Sequence, residues 1–305
     1  MAVQEGQGRH SCQVQPPASC LAHKEGLHRQ KLGGGRRDEL MNRELDLDEL
    51  EEKMHELLEE PEKKKRVKDS EYRKVRQLVF DERTVRILVK LFNKGVIEDF
   101  TWIVSTGKEA VVLAGKGPEG EIAIKIYKIA TANFKKYLDY ISFDHRFIPT
   151  GDKARIIRIW AQREFRNLAR MHQVGVRAPK PIEVQGNVLV MEFIGEGGEP
   201  APLLRDVYDM EDPEYFLSEI LSDVRKIYLE AELVHGDLSE YNVMYWKDEP
   251  WIIDVSQAVP LNHPLALGML RRDVENVMSF FKKRFGVEVP DPYEFVDELI
   301  SSSGT

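Results

Sequence analysis

Ile122-Ala123-Ile124-Lys125-Ile126-Tyr127 is the stretch from which the rest of this chain is best read. Its β-branched residues predict a strand. Strand alternation sets Lys125 on the face away from Ile124 and Ile126, shared with Ala123 and Tyr127. A lysine in mid-strand beside apolar neighbours either snorkels to solvent or meets a fixed anion. Further strand-like runs precede it at 99–104 and 110–114. Gly115-Lys116-Gly117-Pro118-Glu119-Gly120 is a turn-forming connection into the run 121–127. The segment that follows, 128–151, is polar and aromatic without a convincing element. At that length it is functional or mobile.

A helix is expected over 153–173, ending near Gly175. Ile157, Trp160, Leu168 and Met171 form its apolar face, and Glu164 lies four residues from both Trp160 and Leu168 on that face. A carboxylate there either reaches water at the helix edge or takes a cation, because burying it unpaired is costly. Lys125 is the natural partner. Such a pair presents a fixed ammonium to nucleotide phosphates. Ser105-Thr106-Gly107-Lys108-Glu109-Ala110 sits between two of the predicted strands, where Gly107 permits a tight bend and backbone N–H groups could face a phosphate. It lacks the spacing of a Walker motif. A further strand is predicted over 187–193. Helices follow near 213–230, 265–285 and 291–301, with short strands near 243 and 251. Strands first and helices afterwards indicate an α+β chain, a small sheet lobe on a mostly helical lobe with a cleft between them.

The most specific signal lies in the second half: Val234-His235-Gly236-Asp237-Leu238-Ser239-Glu240-Tyr241-Asn242, followed by Trp251-Ile252-Ile253-Asp254. Asp and Asn are ordinary turn residues one at a time. Their joint spacing matches phosphoryl transfer, which needs a carboxylate for a hydroxyl proton and oxygen ligands for magnesium. Asp237 suits the first task, and Asn242 with Asp254 the second. His235 is read as a structural residue that holds the loop through its ring.

Bulk properties exclude more than they assign. The chain has 305 residues, 42% of them hydrophobic and 31% charged, with a net charge of -8. That balance does not advertise a nucleic-acid binder. No apolar run is long enough to cross a bilayer, no signal peptide opens the sequence, and a cytoplasmic location is expected. Cys12 and Cys20 read as spare thiols, not as a disulfide framework. Lys63-Lys64-Lys65-Arg66-Val67-Lys68 and the Lys31, Arg36, Arg37 group are either solvated linkers or contacts for RNA or another polyanion. Leu47, Leu50, Met54, Leu57 and Leu58 recur at helical spacing up to Pro61. A helical pair is expected over 70–94, stopped by Asn93-Lys94-Gly95.

At these motifs the sequence closely resembles the RIO atypical protein kinases, specifically the Rio1 branch. The likeness spans roughly 80–290. It rests on 105–110, Ile122 to Lys128, Trp160 to Leu168, Leu189 to Gly195, Pro200 to Leu204, His235 to Asn242 and Ile253-Asp254-Val255-Ser256-Gln257. The resemblance implies a two-lobed protein-kinase-like fold with an N-terminal helical appendage. The expected division is a disordered tail over 1–40, the appendage over 41–95, an N-lobe over 96–194 with a flexible loop at 128–151, and a C-lobe over 195–301. It also implies ATP with Mg2+ (or Mn2+) as cofactors. Lys125 would contact the nucleotide phosphates and Glu164 would hold Lys125. Met191, Glu192, Phe193 and Ile194 would face adenine, and Ser105, Thr106, Gly107, Lys108 and Glu109 would form the phosphate loop. Asp237 would be the catalytic aspartate, with Asp254 and Lys125 completing the chemistry and Asn242 and Asp254 binding metal. Ser142 is the candidate for autophosphorylation, with Thr131 and Thr150 as competitors. Implied partners are the RNA and proteins of an immature small ribosomal subunit, met by a monomer, with ATPase activity as an output. The lack of a long basic C-terminal extension in this sequence resembles archaeal members of the branch.

Departures from ordinary protein kinases are as informative. The loop reads His-Gly-Asp and not His-Arg-Asp, so no arginine is placed to order a phosphorylated activation segment. Ser239 stands where a phosphate-contacting lysine often sits. Asp254 is followed by Val-Ser-Gln, and no Ala-Pro-Glu closes an activation segment. Little room is left for a peptide-substrate platform. Two other functions share the lower-lobe pattern: a small-molecule phosphotransferase resembling aminoglycoside or choline kinases, and a non-catalytic assembly scaffold switched by nucleotide.

Overall fold

The computed structural model describes residues 49–50, 52–53, 81–129, 134–148 and 150–303. The segment 1–40, the basic run 63–68, Thr131 and most of 41–95 lie outside the described residues. Helix α1 (Glu82–Asn93) is followed by strands β1 (Asp99–Thr106), β2 (Ala110–Gly117) and β3 (Gly120–Tyr127). With β4 (Pro181–Gln185) and β5 (Val188–Glu192) they form a five-stranded antiparallel sheet in the order β1-β2-β3-β5-β4. The β2–β3 connection is shorter than the sequence suggested. Gly117 pairs with Gly120, so the turn narrows to Pro118-Glu119 and the ladder satisfies backbone groups that a longer loop would leave to water.

Strand β3 sits inside the sheet, with Lys125 paired to Val112 on one side and Leu189 on the other. Ile122, Ile124 and Ile126 turn to the face covered by α1. There they share a core with Val85, Leu88, Leu91, Val111 and Val190. The opposite face carries Ala123, Lys125 and Tyr127, and helix α3 (Lys153–Gln173) packs behind it. Asp152 caps α3, accepting from the Ala154 N–H at 2.9 Å. The sequence showed no element in 128–151, yet helix α2 (Phe134–Ser142) forms there. Its pattern is legible only against a partner. Tyr137 stacks on Trp160 of α3 with ring centroids 4.1 Å apart, and Tyr140 meets Trp160 edge-on at 5.8 Å. Such aromatic pairs add about 0.5–1.5 kcal/mol each beyond the area they bury.

The second half is helical. Helices α4 (Pro213–Leu229), α5 (Ala266–Phe285) and α6 (Pro292–Ser303) pack through Phe216, Ile220, Val274, Val277, Phe281 and Leu299. Asp212 caps α4 and Pro213 occupies its first turn, where a missing N–H costs nothing. Paired short strands brace the loops that face the sheet: β6 (Gly195–Glu196) with β7 (Glu199–Pro200), β8 (Leu233–Val234) with β11 (Val259–Pro260), and β9 (Val243–Trp246) with β10 (Glu249–Ile252). Among the described residues, no helix is long and apolar enough to cross a membrane.

Strand β6 opens on Gly195, with φ +154°. A Cβ there would stand 2.1 Å from the Glu199 carbonyl oxygen. Because that neighbour is backbone, relief requires moving the hairpin. Gly195→Ala is expected to lower stability by about 1–3 kcal/mol, read from urea unfolding curves against the parent protein.

Candidate active site

A cavity of about 540 Å3 lies between the sheet and the helical half. Its roof is Val112 and Ala123, and one wall is Met191, Glu192, Phe193 and Ile194. Three backbone groups of that wall are engaged beyond the strand pairing: the Glu192 N–H donates to the Lys180 carbonyl, the Phe193 N–H to the Glu121 carbonyl, and the Ile194 carbonyl accepts from Ala201. Ser105, Gly107, Lys108 and Glu109 close one end, and Tyr241, Asn242, Met244, Ile253 and Asp254 form the floor. Thr106, Glu164 and Asp237 do not line the cavity. Thr106 pairs with Val111 inside the β1–β2 ladder, and Glu164 sits behind Lys125.

The deepest feature is a three-residue charge cluster. Lys125 Nζ lies 2.9 Å from Glu164 Oε1 and 3.0 Å from Asp254 Oδ1. The ion pair expected between the strand and the helix is formed, so Lys125 does not snorkel. Burial alone would lower the Lys125 pKa. Asp254 and Glu164 outweigh it and hold the ammonium above the ordinary lysine range. Burial pushes Glu164 up to about 7 against the pull of Lys125, with Asp254 adding repulsion. Against desolvation, Lys125 and the Ser256 hydroxyl hold Asp254 below its ordinary range. Two carboxylates thus share one ammonium. Glu164 is 1% exposed while the Asp254 side chain is 47% exposed, so Asp254 is the one that faces an incoming ligand.

Asp254 adopts a left-handed backbone (φ 56°, ψ 62°) between β10 and a 3-10 turn over Val255–Gln257. Aspartate tolerates this region better than most side chains. The bend turns its carboxylate back toward Lys125. The following turn is gripped from α3: Asn167 donates to the Val255 carbonyl at 3.0 Å, and buried Arg163 to the Ser256 and Ala258 carbonyls. Asp144, from the segment after α2, neutralises Arg163 at 3.1 Å. Burial and Asp144 pull in opposite senses on Arg163, and burial prevails, bringing its pKa down to about 10.

The loop 235–242 is held from the other side. Asp273 of α5 accepts the backbone N–H groups of Gly236 at 2.6 Å and Leu238 at 3.0 Å. Burial pushes Asp273 up to about 6, despite His235 and those two donors. Asn242 donates to the Asp237 carbonyl at 2.7 Å, and the His235 ring lies 3.2 Å from the Ile253 carbonyl, as suits a structural histidine. Gly236 has φ +81°, and a Cβ there would come within 3.2 Å of the Gln257 carbonyl. The backbone therefore rejects the arginine of an ordinary kinase loop at this position. Arg272, from α5, donates to the Gly236 carbonyl instead. Asp237 itself is exposed, its carboxylate accepting from Gln257 Nε2 at 2.9 Å.

A lysine held by a helix glutamate and a loop aspartate, above an Asp–Asn loop, is a phosphotransferase arrangement. Comparison with known proteins gives the family. The RIO domain model matches residues 109–295. The chain belongs to the RIO family. It is 41% identical over 251 residues to the serine/threonine-protein kinase RIO1 of Caenorhabditis elegans, covering 80% of this chain and 49% of that protein. It is 43% identical over 234 residues to the RIO-type serine/threonine-protein kinase Rio1 of Haloferax volcanii, covering 76% of this chain and 80% of that one. The chain thus spans about half of the first relative and most of the second. A Rio2 kinase from Chaetomium thermophilum, solved as an ADP/Mg2+–phosphoaspartate complex, is 21% identical with a TM-score of 0.56. The match covers 74% of this chain and 72% of that one, and it supports the two-lobed kinase-like fold.

Within the RIO cleft, sequence reading passed over Asp273, Arg163 and Asn167. Asp273 carries the signal that exposed Glu164: it stands between Leu270, Val274 and Val277 on a buried helix face. Arg163 immediately precedes Glu164 and Asn167 follows one turn on, but the contacts they make with the turn after Asp254 are to backbone carbonyls, which no side-chain pattern reveals.

The raised Glu164 pKa has a sign that can be measured. A folded-state value above the unfolded one means the native protein binds this proton more tightly. That contribution is present below the ordinary glutamate range and is lost as pH rises to about 7. Stability measured by urea at pH 5 and pH 7.5 should therefore change between wild type and Glu164→Gln, with the wild type losing more on the way up. Equal slopes would show that Glu164 ionises normally. Asp273→Ala strands two buried N–H donors and should cost about 2–4 kcal/mol in the same assay.

Proposed function

We propose that the protein is an atypical serine/threonine kinase and ATPase that transfers the γ-phosphoryl group of Mg-ATP. The observation that carries this reading is the placement of Lys125 within 3.0 Å of Asp254, in the cavity that Asn242, Ser105, Gly107, Lys108 and Glu109 also line. In this proposal the adenine lies along Met191–Ile194, and the phosphates reach Lys125 and the turn at Ser105, Gly107, Lys108 and Glu109. Thr106 supports that turn from within the ladder.

The donor set fits magnesium held jointly with a nucleotide. Among the described residues there is no group of three or more acidic, histidine or cysteine side chains that would cage an ion alone. Asp254 and Asn242 offer oxygens to the same cavity, and magnesium characteristically takes one or two protein oxygens plus phosphate and water. Bound there, the ion would neutralise charge on the phosphate oxygens.

Asp237 serves as the base. The acceptor hydroxyl gives its proton to the Asp237 carboxylate, its oxygen bonds to the γ-phosphorus, and the bond from phosphorus to the β–γ bridging oxygen breaks to leave ADP. With water as acceptor, the products are ADP and inorganic phosphate. A serine or threonine of the protein itself is an alternative acceptor. Ser142 closes α2, exposed, with its hydroxyl donating to the Leu138 carbonyl at 2.7 Å, and Thr150 is half-buried in the same segment. The short path from Asp254 through the 3-10 turn to α5 leaves no conventional activation segment, which suits slow turnover on a large partner. The partner we propose is an immature small ribosomal subunit, RNA and protein together. This rests on the family resemblance and on the basic run 63–68 in the sequence.

Asp237→Ala is expected to lower phosphate release and autophosphorylation by at least about a hundredfold, while ATP binding measured by calorimetry stays within a few-fold. Unchanged turnover in that variant removes Asp237 from the mechanism. Crosslinking to pre-ribosomal particles, with and without ATP, is expected to recover small-subunit precursor RNA, and recovery of mature ribosomes alone would refute the partner.

A further inference from the structure

Asp237 is held by its main chain, through Asn242 and the His235 ring, but those contacts leave its carboxylate free to rotate. Among the described residues, the carboxylate takes one hydrogen bond, from Gln257 Nε2 at 2.9 Å. The other end of the same amide, Oε1, accepts from the Tyr140 hydroxyl at 3.2 Å. The chemistry of the groups fixes these roles. A carboxylate can only accept, so the amide must turn its NH2 toward Asp237 and its oxygen toward Tyr140, which then donates.

Both intermediaries are anchored. Gln257 closes the 3-10 turn whose carbonyls Arg163 and Asn167 hold. Tyr140 is wedged edge-on against Trp160, stacked near His263 at 6.1 Å, and lies beneath the Arg163 guanidinium at 5.4 Å. It comes from α2, in the segment that sequence reading left without structure.

We infer that Gln257 is a positioning residue for the Asp237 carboxylate and that Tyr140, donated by α2, sets the orientation of Gln257. The inference rests on Asp237 being the base, as proposed above. With one carboxylate oxygen pinned by Gln257, the other is left to receive the proton of the acceptor. Docking of α2 on α3 and the aim of the base are then coupled, since the Tyr137 and Tyr140 contacts that seat the helix also seat the hydroxyl. The effect should fall on the chemical step, because neither Gln257 nor Tyr140 lines the nucleotide cavity.

The test uses the full chain, with Mg-ATP, reading steady-state phosphate release and ADP affinity together. Gln257→Ala should lower kcat by roughly ten- to a hundredfold, the scale of a misplaced catalytic group, with KM for ATP and ADP affinity unchanged. Gln257→Met keeps the length and lacks the donor; it should behave alike, and serves if the alanine variant unfolds. Gln257→Glu should lower kcat further, since it faces Asp237 with like charge. Tyr140→Phe should lower kcat a few-fold, about what one neutral hydrogen bond supplies, and this loss should vanish in a Gln257→Met background. Wild-type kcat in a folded Gln257→Met, or a parallel loss of nucleotide affinity, would overturn the positioning role. Additive losses in the double variant would overturn the part given to Tyr140. Asp237→Ala in the same series separates the two levels: if it retains turnover, the base assignment itself has failed, and if it is inactive while the Gln257 variants are not, only this inference has.

Discussion

The structure depends on one buried cation. Lys125 stands in the middle of an internal strand, where an unpaired ammonium would be intolerable, and it is tolerated because Glu164 and Asp254 reach it from different parts of the chain. Strand β3, helix α3 and the loop after β10 therefore meet at a single point. The fold on either side of it can be read as what is needed to bring those three together. The sheet's isoleucine face is sealed by α1, which leaves the lysine face for α3. Helix α3 in turn spends its polar residues on that meeting point: Glu164 on Lys125, Arg163 and Asn167 on the carbonyls that follow Asp254.

An excess of acidic charge follows from this construction. Two carboxylates and one ammonium share the cluster, so burial raises Glu164 while the half-exposed Asp254 stays ionised. A ligand that brings a divalent cation and phosphates supplies both signs of charge to a site that can use both. The same economy governs the loop below. Asp273 satisfies two backbone donors from beneath, Asn242 satisfies a carbonyl, and the positive φ of Gly236 lets the loop pass close to Gln257. An arginine at 236 would be strained.

How much of this could be read from residues alone varies with the range of the interaction. The sheet lobe, the long helix and the helical half follow from alternation, helical spacing and breaker residues, which act over a few positions. The Lys125–Glu164 pair was legible because each residue violates a burial rule locally, and two such violations explain each other. Helix α2 was not legible. Its polar and aromatic pattern makes sense only when Tyr137 and Tyr140 find Trp160, an interaction that closes across α3. Asp273 gave the same local signal as Glu164 but has backbone for a partner, so no second anomaly pointed to it.

By itself, then, the sequence determined which two residues carry charge into apolar surroundings and so demanded a partner, Lys125 and Glu164, and it marked the Asp–Asn loop and its later aspartate by their spacing. Those are local facts of composition and spacing. The tertiary structure decided which partner each one takes. It set Asp254 on Lys125 through a left-handed turn, gave the carbonyls after it to Arg163 and Asn167, and brought Tyr140 to Gln257 and Gln257 to Asp237. Hydrogen bonds between segments 20 to 129 residues apart have no periodicity to announce them, and backbone acceptors are the same at every position. That is why the ionic cluster could be anticipated and its supporting network could not.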